Sequence, residues 1–204
     1  MKLHNKHFID RQEISTATSY SIMEKLFEKK IIRSFSKAEK NEDISGIDYF
    51  FTWEKDGNEK KFIQFKNRED KFQDFPISRF QPFYGIDHLR TKVGRDFRSL
   101  KDKRNNYYFT AVKPDGKNYS EVIIIESVKL FNLITEAEKE WFGDEEPWLY
   151  FNAEICEKTK NWNKKLKTAQ NGVQAWFKRT ASETAAKINM YVPRIYADQV
   201  VELN

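Results

Sequence analysis

Apolar and polar positions alternate most clearly between residues 47 and 66. Tyr49-Phe50-Phe51-Thr52-Trp53 and Lys61-Phe62-Ile63-Gln64-Phe65-Lys66 are rich in aromatic and β-branched residues, and Asp56-Gly57 lies between them. Two such runs around an Asp-Gly turn predict a β-hairpin. A two-residue loop at Asp56-Gly57 would set Asp48 against Phe65. A three-residue loop, Lys55-Asp56-Gly57 with Gly57 left-handed, sets Asp48 against Gln64 instead. That register makes Phe50 face Phe62 and gathers Ile47, Tyr49, Ile63 and Phe65 on one apolar face, leaving Asp48, Gln64 and Lys66 on the other.

The same reading extends along the chain. Met23, Leu26, Phe27 and Ile31 follow helical spacing, so a helix is expected from about residue 19 to residue 32, capped by Thr18 or Ser19. Residues 67–84, with Pro76 and Pro82, read as an irregular loop or short helical pieces, from which Arg79 and Phe80 could enter a substrate groove. Residues 107–112 form a strand, Pro114-Asp115-Gly116 a turn, and residues 122–125 a buried strand. Ser127 is expected to cap a helix reaching about residue 141, and residues 148–151 suggest one more strand. Trp162, Leu166, Val173, Trp176 and Phe177 would pack the last, helical and basic portion, residues 158–190, onto the sheet. The expected class is a mixed α/β single domain over residues 1–204.

Composition narrows the chemistry. Aromatic residues make up 15% of the 204, enough for a sizeable core although 33% of residues are charged. No apolar run is long enough to span a membrane, and the first residues lack the apolar core of a signal peptide. A lone cysteine, Cys156, excludes an internal disulfide framework and a cysteine-based zinc site, which makes a reducing, cytoplasmic compartment the expectation. Only His4, His7 and His88 are available to a histidine site, and no helix carries a His-x-x-x-His pair.

The net charge of +5 is unevenly spread. Arg90, Lys92, Arg95, Arg98, Lys101, Lys103 and Arg104 are opposed only by Asp96 and Asp102, and such a density of cations suits phosphate contacts. Arg90, Lys92, Arg95 and Arg98 are the candidate nucleic-acid-binding residues. Eight acids between Glu136 and Glu157 face Lys139 alone, a surface suited to a basic partner. The lysines between Lys158 and Lys187 suggest a weaker phosphate role.

Gly46-Ile47-Asp48 followed by Ile63-Gln64-Phe65-Lys66 resembles the PD-(D/E)xK nuclease superfamily, and its glutamine is similar to the Gln-x-Lys motif of the Mrr-like restriction endonuclease branch. The resemblance covers residues 19–68. It implies a restriction-endonuclease-like core, a central mixed β-sheet flanked by helices, and a metal-dependent nuclease acting on DNA. Asp48, Gln64, Lys66 and a helix acid, Glu24 or the next candidate Glu28, would form the catalytic set. Asp48, Gln64, Glu24 and the Phe65 carbonyl would hold Mg²⁺, with Mn²⁺ as a substitute. Lys66 would orient the attacking water or offset phosphate charge. Double-strand cleavage would call for a homodimer or sequential nicking. Two alternatives are a nucleic-acid-binding module with a decayed site, since Gln64 is a weaker ligand than a carboxylate, and an interaction domain using the acidic segment.

Overall fold

The structure, a computed structural model, describes residues 2–39, 47–56, 58–82, 91–93, 106–144, 163–179 and 186–204. Its elements are α1 (Lys2–Glu28), β1 (Ile32–Lys37), β2 (Tyr49–Trp53), β3 (Lys61–Asn67), β4 (Asp74–Pro82), β5 (Thr91–Val93), β6 (Asn106–Val112), β7 (Glu121–Glu126), α2 (Ser127–Phe142), β8 (Asn163–Thr168), β9 (Gln174–Arg179), β10 (Ala186–Pro193) and β11 (Gln199–Glu202). The mixed α/β class agrees with the sequence. Two compact units are distinguished within the chain, residues 1–73, 107–124 and 198–204 in one, and 74–106 and 125–197 in the other. The chain passes between the units four times, within elements or short connections, so no linker composition announces the division.

The first unit holds a six-stranded sheet in the order β1-β2-β3-β6-β7-β11. Ile22, Met23 and Leu26 of α1 join Tyr49, Phe51, Ile63, Phe65 and Phe109 in one buried cluster. Each fully buried side chain of this size stabilises the fold by roughly 1.5–3 kcal/mol. The rings meet edge to face, as for Phe51 and Trp53 at 4.7 Å and 86°, an arrangement aromatic quadrupoles favour. The Asp115 carboxylate accepts from the Lys117 and Asn118 amides in the turn expected after β6, which depresses its pKa.

The helix α1 begins well before the expected start. Thr18 and Ser19 are therefore interior, and their hydroxyls donate back to the carbonyls of Ile14 and Thr16 at 2.9 and 3.0 Å. Phe27 is 49% exposed rather than part of the core stripe. At the other end, Lys30 takes a φ of 54°. The Ile31 amide reaches the Leu26 carbonyl and the Lys30 amide the Phe27 carbonyl, a Schellman closure that turns the chain into β1.

The second unit holds a five-stranded sheet in the order β5-β4-β10-β9-β8. Two expectations fail here. Residues 74–82 are a strand, and the basic portion beyond residue 162 is strand rather than helix in β8, β9 and β10. A period of two explains both. Phe75 and Ile77, Val173, Ala175 and Phe177, and Ile188, Met190 and Val192 are all buried at alternate positions. Ser127 is the first residue of α2, and the N-cap position falls to Glu126, whose side chain makes no cap bond. Trp162 and residues 148–151 lie outside the described residues.

Arg79 also lies inward. Its Nη2 donates to Glu138 Oε2 at 3.0 Å and its Nε to Oε1, a two-pronged buried ion pair between β4 and α2. Burial pushes the Glu138 carboxyl above its ordinary range while Arg79 pulls the other way. Arg79 thus has an interior role in place of the substrate groove proposed from sequence. Removing one member of such a pair strands a buried charge. Arg79→Ala is expected to lower unfolding stability in urea by about 3–5 kcal/mol, and a loss below about 1 kcal/mol would mean that the pair is solvated.

Candidate functional site

The β2–β3 register is the one expected at its centre, with Tyr49 opposite Ile63, Phe50 opposite Phe62 and Phe51 opposite Lys61. The three-residue loop is not formed. The ladder stops at Phe51–Lys61, and the Glu54 amide turns away to the Ile31 carbonyl. Gly57 lies outside the described residues.

At the other end of the ladder the Asp48 amide donates to the Ile63 carbonyl at 2.8 Å, although Ile63 is already the partner of Tyr49. Two residues of one strand thus oppose one of the next, the geometry of a β-bulge. The extra residue reverses the alternation upstream. Ile47 packs with Ala38, Phe50 and Phe62, away from the Tyr49–Ile63–Phe65 face to which alternation assigned it. Asp48 is re-aimed with it. Its Oδ2 accepts from the Phe65 amide at 2.6 Å, doing for that N–H what a strand carbonyl would otherwise do. The Asp48 carbonyl accepts from Ala38, so backbone and side chain are both fixed.

The Asp48 side chain borders a cavity of about 340 Å³ lined by Ser15, Thr16 and Ser19 of α1, Lys37 and Ala38, Tyr49, and Phe65 and Asn67 of β3. Gln64 and Lys66 are not among its lining residues. Gln64 is buried and Lys66 half-buried, at the β3 positions that alternate with Phe65 and Asn67. The set expected on one face is therefore split by the bulge. Glu24 is exposed and borders a separate shallow pocket with Glu13, Tyr20 and Lys37, and Glu28 is exposed as well. The helix side chains at the Asp48 cavity are hydroxyls instead of a carboxylate.

These hydroxyls are ordered. Ser19 Oγ lies 2.8 Å from Tyr49 Oη and 3.0 Å from the Thr16 carbonyl. The carbonyl can only accept, so Ser19 donates to it and Tyr49 donates to Ser19. Burial raises the Tyr49 pKa, and the nearby Asp48 charge adds to the rise, so Tyr49 remains a donor. One turn earlier Asn67 Nδ2 donates to the Ser15 carbonyl at 3.1 Å and to Ser15 Oγ at 3.0 Å. Asn67 Oδ1 is a buried acceptor with no hydrogen-bond partner among the described residues.

The described residues bordering the cavity bring one carboxylate, Asp48, the hydroxyls of Ser15, Thr16 and Ser19, and the ammonium of Lys37. A carboxylate is a hard oxygen ligand of the kind that suits Mg²⁺, and no three His, Cys, Asp or Glu side chains gather among the described residues. Sequence reasoning missed Ser15, Ser19, Lys37 and Asn67. Ser15 and Ser19 continue the Ile22–Met23–Leu26 stripe at helical spacing, and Asn67 stands two residues after Phe65 on the same face, so the signal was present.

Arg90, Arg95 and Arg98 lie outside the described residues, as do Cys156 and His88, and Lys92 is described only as a backbone position of β5, opposite Gln81. Of the acidic segment, Glu138 is turned inward to Arg79, and Glu140 accepts from the Gln170 amide at 2.9 Å. No helix among the described residues is long and apolar enough to cross a membrane. Compared with protein-family models, with curated proteins and with solved structures, the chain matches none.

Tyr49→Phe removes the donor to Ser19 and is expected to cost about 1 kcal/mol of stability. The raised pKa means that protonated Tyr49 is favoured by folding, so its contribution is complete below the ordinary value of 10.0 and declines as pH rises beyond it. Unfolding titrations should therefore show a shallower alkaline loss in Tyr49→Phe than in the parent, and identical slopes would remove Tyr49 from this linkage.

Proposed function

We propose that the protein is a metal-dependent nuclease with a restriction-endonuclease-like core, hydrolysing phosphodiester bonds in DNA. The observation that carries this reading is the bulge that turns the Asp48 carboxylate into a cavity beneath α1 and fastens it to the amide of Phe65, the middle residue of Gln64-Phe65-Lys66. Bulges that re-aim one side chain are common beside active sites.

Asp48 is the anionic ligand in this reading, and the Phe65 carbonyl contributes a neutral oxygen, while Gln64, at the alternate β3 position, is not among the residues lining the cavity. A bound Mg²⁺ would supply an activated water and offset charge on the phosphodiester. The chain's own residues do the rest. The Phe65 amide fixes the carboxylate, and Lys66 offsets phosphate charge or orients the attacking water. Lys37, which borders the same cavity, adds a second cation for the DNA backbone. Arg90, Lys92, Arg95 and Arg98 would extend the backbone contacts.

A second reading, a DNA-binding module with a decayed site, draws support from the lack, among the described residues, of a second carboxylate lining the cavity, and from Glu24 bordering another pocket. The two readings separate on plasmid and linear DNA in Mg²⁺ or Mn²⁺. The nuclease reading expects product that EDTA abolishes. The binding reading expects salt-sensitive retention with no product.

Asp48→Asn is expected to weaken metal binding, because a neutral amide replaces the anion. Lys66→Ala is expected to retain metal yet slow cleavage by on the order of 100-fold, the scale of losing one group that stabilises the transition state. Parent-rate cleavage by the double variant would put the chemistry elsewhere.

A further inference from the structure

We infer that the face of α1 beside the Asp48 cavity holds one unpaired nucleotide of a DNA strand, its base stacked on Tyr20 and its phosphate on Lys37 and Thr16. The assignment rests on the DNA-binding reading above, common to both of its forms, and requires no metal.

Glu13, Thr16, Ala17, Tyr20, Ser21 and Glu24 recur at three- and four-residue steps and so share one face of α1. With Lys37 they border an open pocket of about 640 Å³, a size ordinary for a small-molecule site. Tyr20 is 45% exposed. Its ring is braced by Phe35 at 5.5 Å and 61°, an inclined contact that leaves the pair unstacked. Phe35 is braced in turn by Tyr49 at 6.5 Å. A ring held by other rings and still open to solvent gives a base a platform that is already ordered, and every base has a face to stack on it.

The polar groups fix how a nucleotide would lie. Lys37 and Thr16 border both this pocket and the Asp48 cavity. Lys37 is exposed, and its ammonium has no ion-pair or hydrogen-bond partner among the described residues. Glu13 and Glu24 lie on the Tyr20 side of this boundary and Asp48 on the other. A phosphate is repelled from either side and attracted at the boundary, where an ammonium and a hydroxyl can donate to it. The base is then directed to Tyr20, where the carboxylates can accept from its N–H groups. A base inside a duplex is stacked between its neighbours and paired along its edge, so the nucleotide must be unpaired.

Fluorescence anisotropy of the full chain with a labelled single-stranded oligodeoxynucleotide, and with a blunt duplex of the same sequence, both in EDTA, tests this without metal or activity. The parent is expected to bind the single strand. Tyr20→Leu keeps an apolar side chain against Phe35 and loses the aromatic face. It is expected to weaken the single strand about tenfold, the scale of one base–aromatic stack, and to leave the duplex unchanged. Tyr20→Phe is expected to match the parent. Lys37→Ala is expected to lower the salt slope for the single strand by about one, and Lys37→Arg to keep it. Tyr20→Leu losing both probes alike, or Tyr20→Phe as weak as Tyr20→Leu, overturns the stacking role. An unaltered slope in Lys37→Ala removes the phosphate contact, and with it this placement of the nucleotide. The parent separates the two levels. If it binds the duplex but not the single strand, or if Tyr20→Leu leaves binding unchanged, the subsite falls alone. If it binds neither probe, the DNA reading falls as well.

Discussion

The bond from the Phe65 amide to the Asp48 carboxylate is the constraint from which the candidate site follows. An N–H on an interior strand must find an acceptor, and the bulge at Asp48 and Tyr49 displaces the carbonyl that would have served. The carboxylate takes over that task. It is thereby held at the sheet surface under α1, with its charge against Tyr49 and the cavity. A charge-assisted bond of this kind is stronger than a neutral one, so one interaction completes the sheet and orients the group proposed to act.

The rest of the first unit supports that position. Ile22, Met23 and Leu26 hold α1 against the sheet, and Ser19 bonds to Tyr49 beside the bulge. The Schellman closure at Lys30 turns the chain from the end of α1 into β1, whose end brings Lys37 to the cavity. Packing, backbone satisfaction and the placement of polar groups agree, which is how a sequence specifies one arrangement rather than several. The second unit keeps its own interior, in which the Arg79–Glu138 pair is buried, as are the alternating apolar positions Ile77 and Phe177.

The elements easiest to find from sequence were those whose pattern is local. The aromatic alternation of β2 and β3, the apolar run of β7 and the Asp115-Gly116 turn are all where periodicity put them. The helix start was misjudged because Thr18 and Ser19 are good caps in isolation, and nothing local reveals that their hydroxyls bond back within a longer helix. The strand β4 was hidden by Pro76 and Pro82, which outweighed the alternation of Phe75 and Ile77. Lysine content similarly disguised β8 and β9, because charge says little about period. The site was legible in part. Asp48 could be singled out by residue type and spacing, but its face could not, because a bulge adds one residue without leaving a mark in the composition. The consequence ran furthest at Ile47, Gln64 and Lys66, all assigned a face by strict alternation. Glu24 follows from the resemblance, which implies a helix acid, whereas the α1 residues bordering the cavity are Ser15, Thr16 and Ser19.

Anomalous diffraction from crystals soaked in Mn²⁺ tests the central claim most directly, that the Asp48 carboxylate serves both the sheet and a cation. The account predicts one anomalous peak at about 2.0–2.2 Å from an Asp48 oxygen, a distance ordinary for small divalent ions on oxygen, with the Phe65 amide still bonded to Oδ2. A peak only at other residues, or an Asp48 side chain that leaves Phe65 in order to reach the metal, would contradict it.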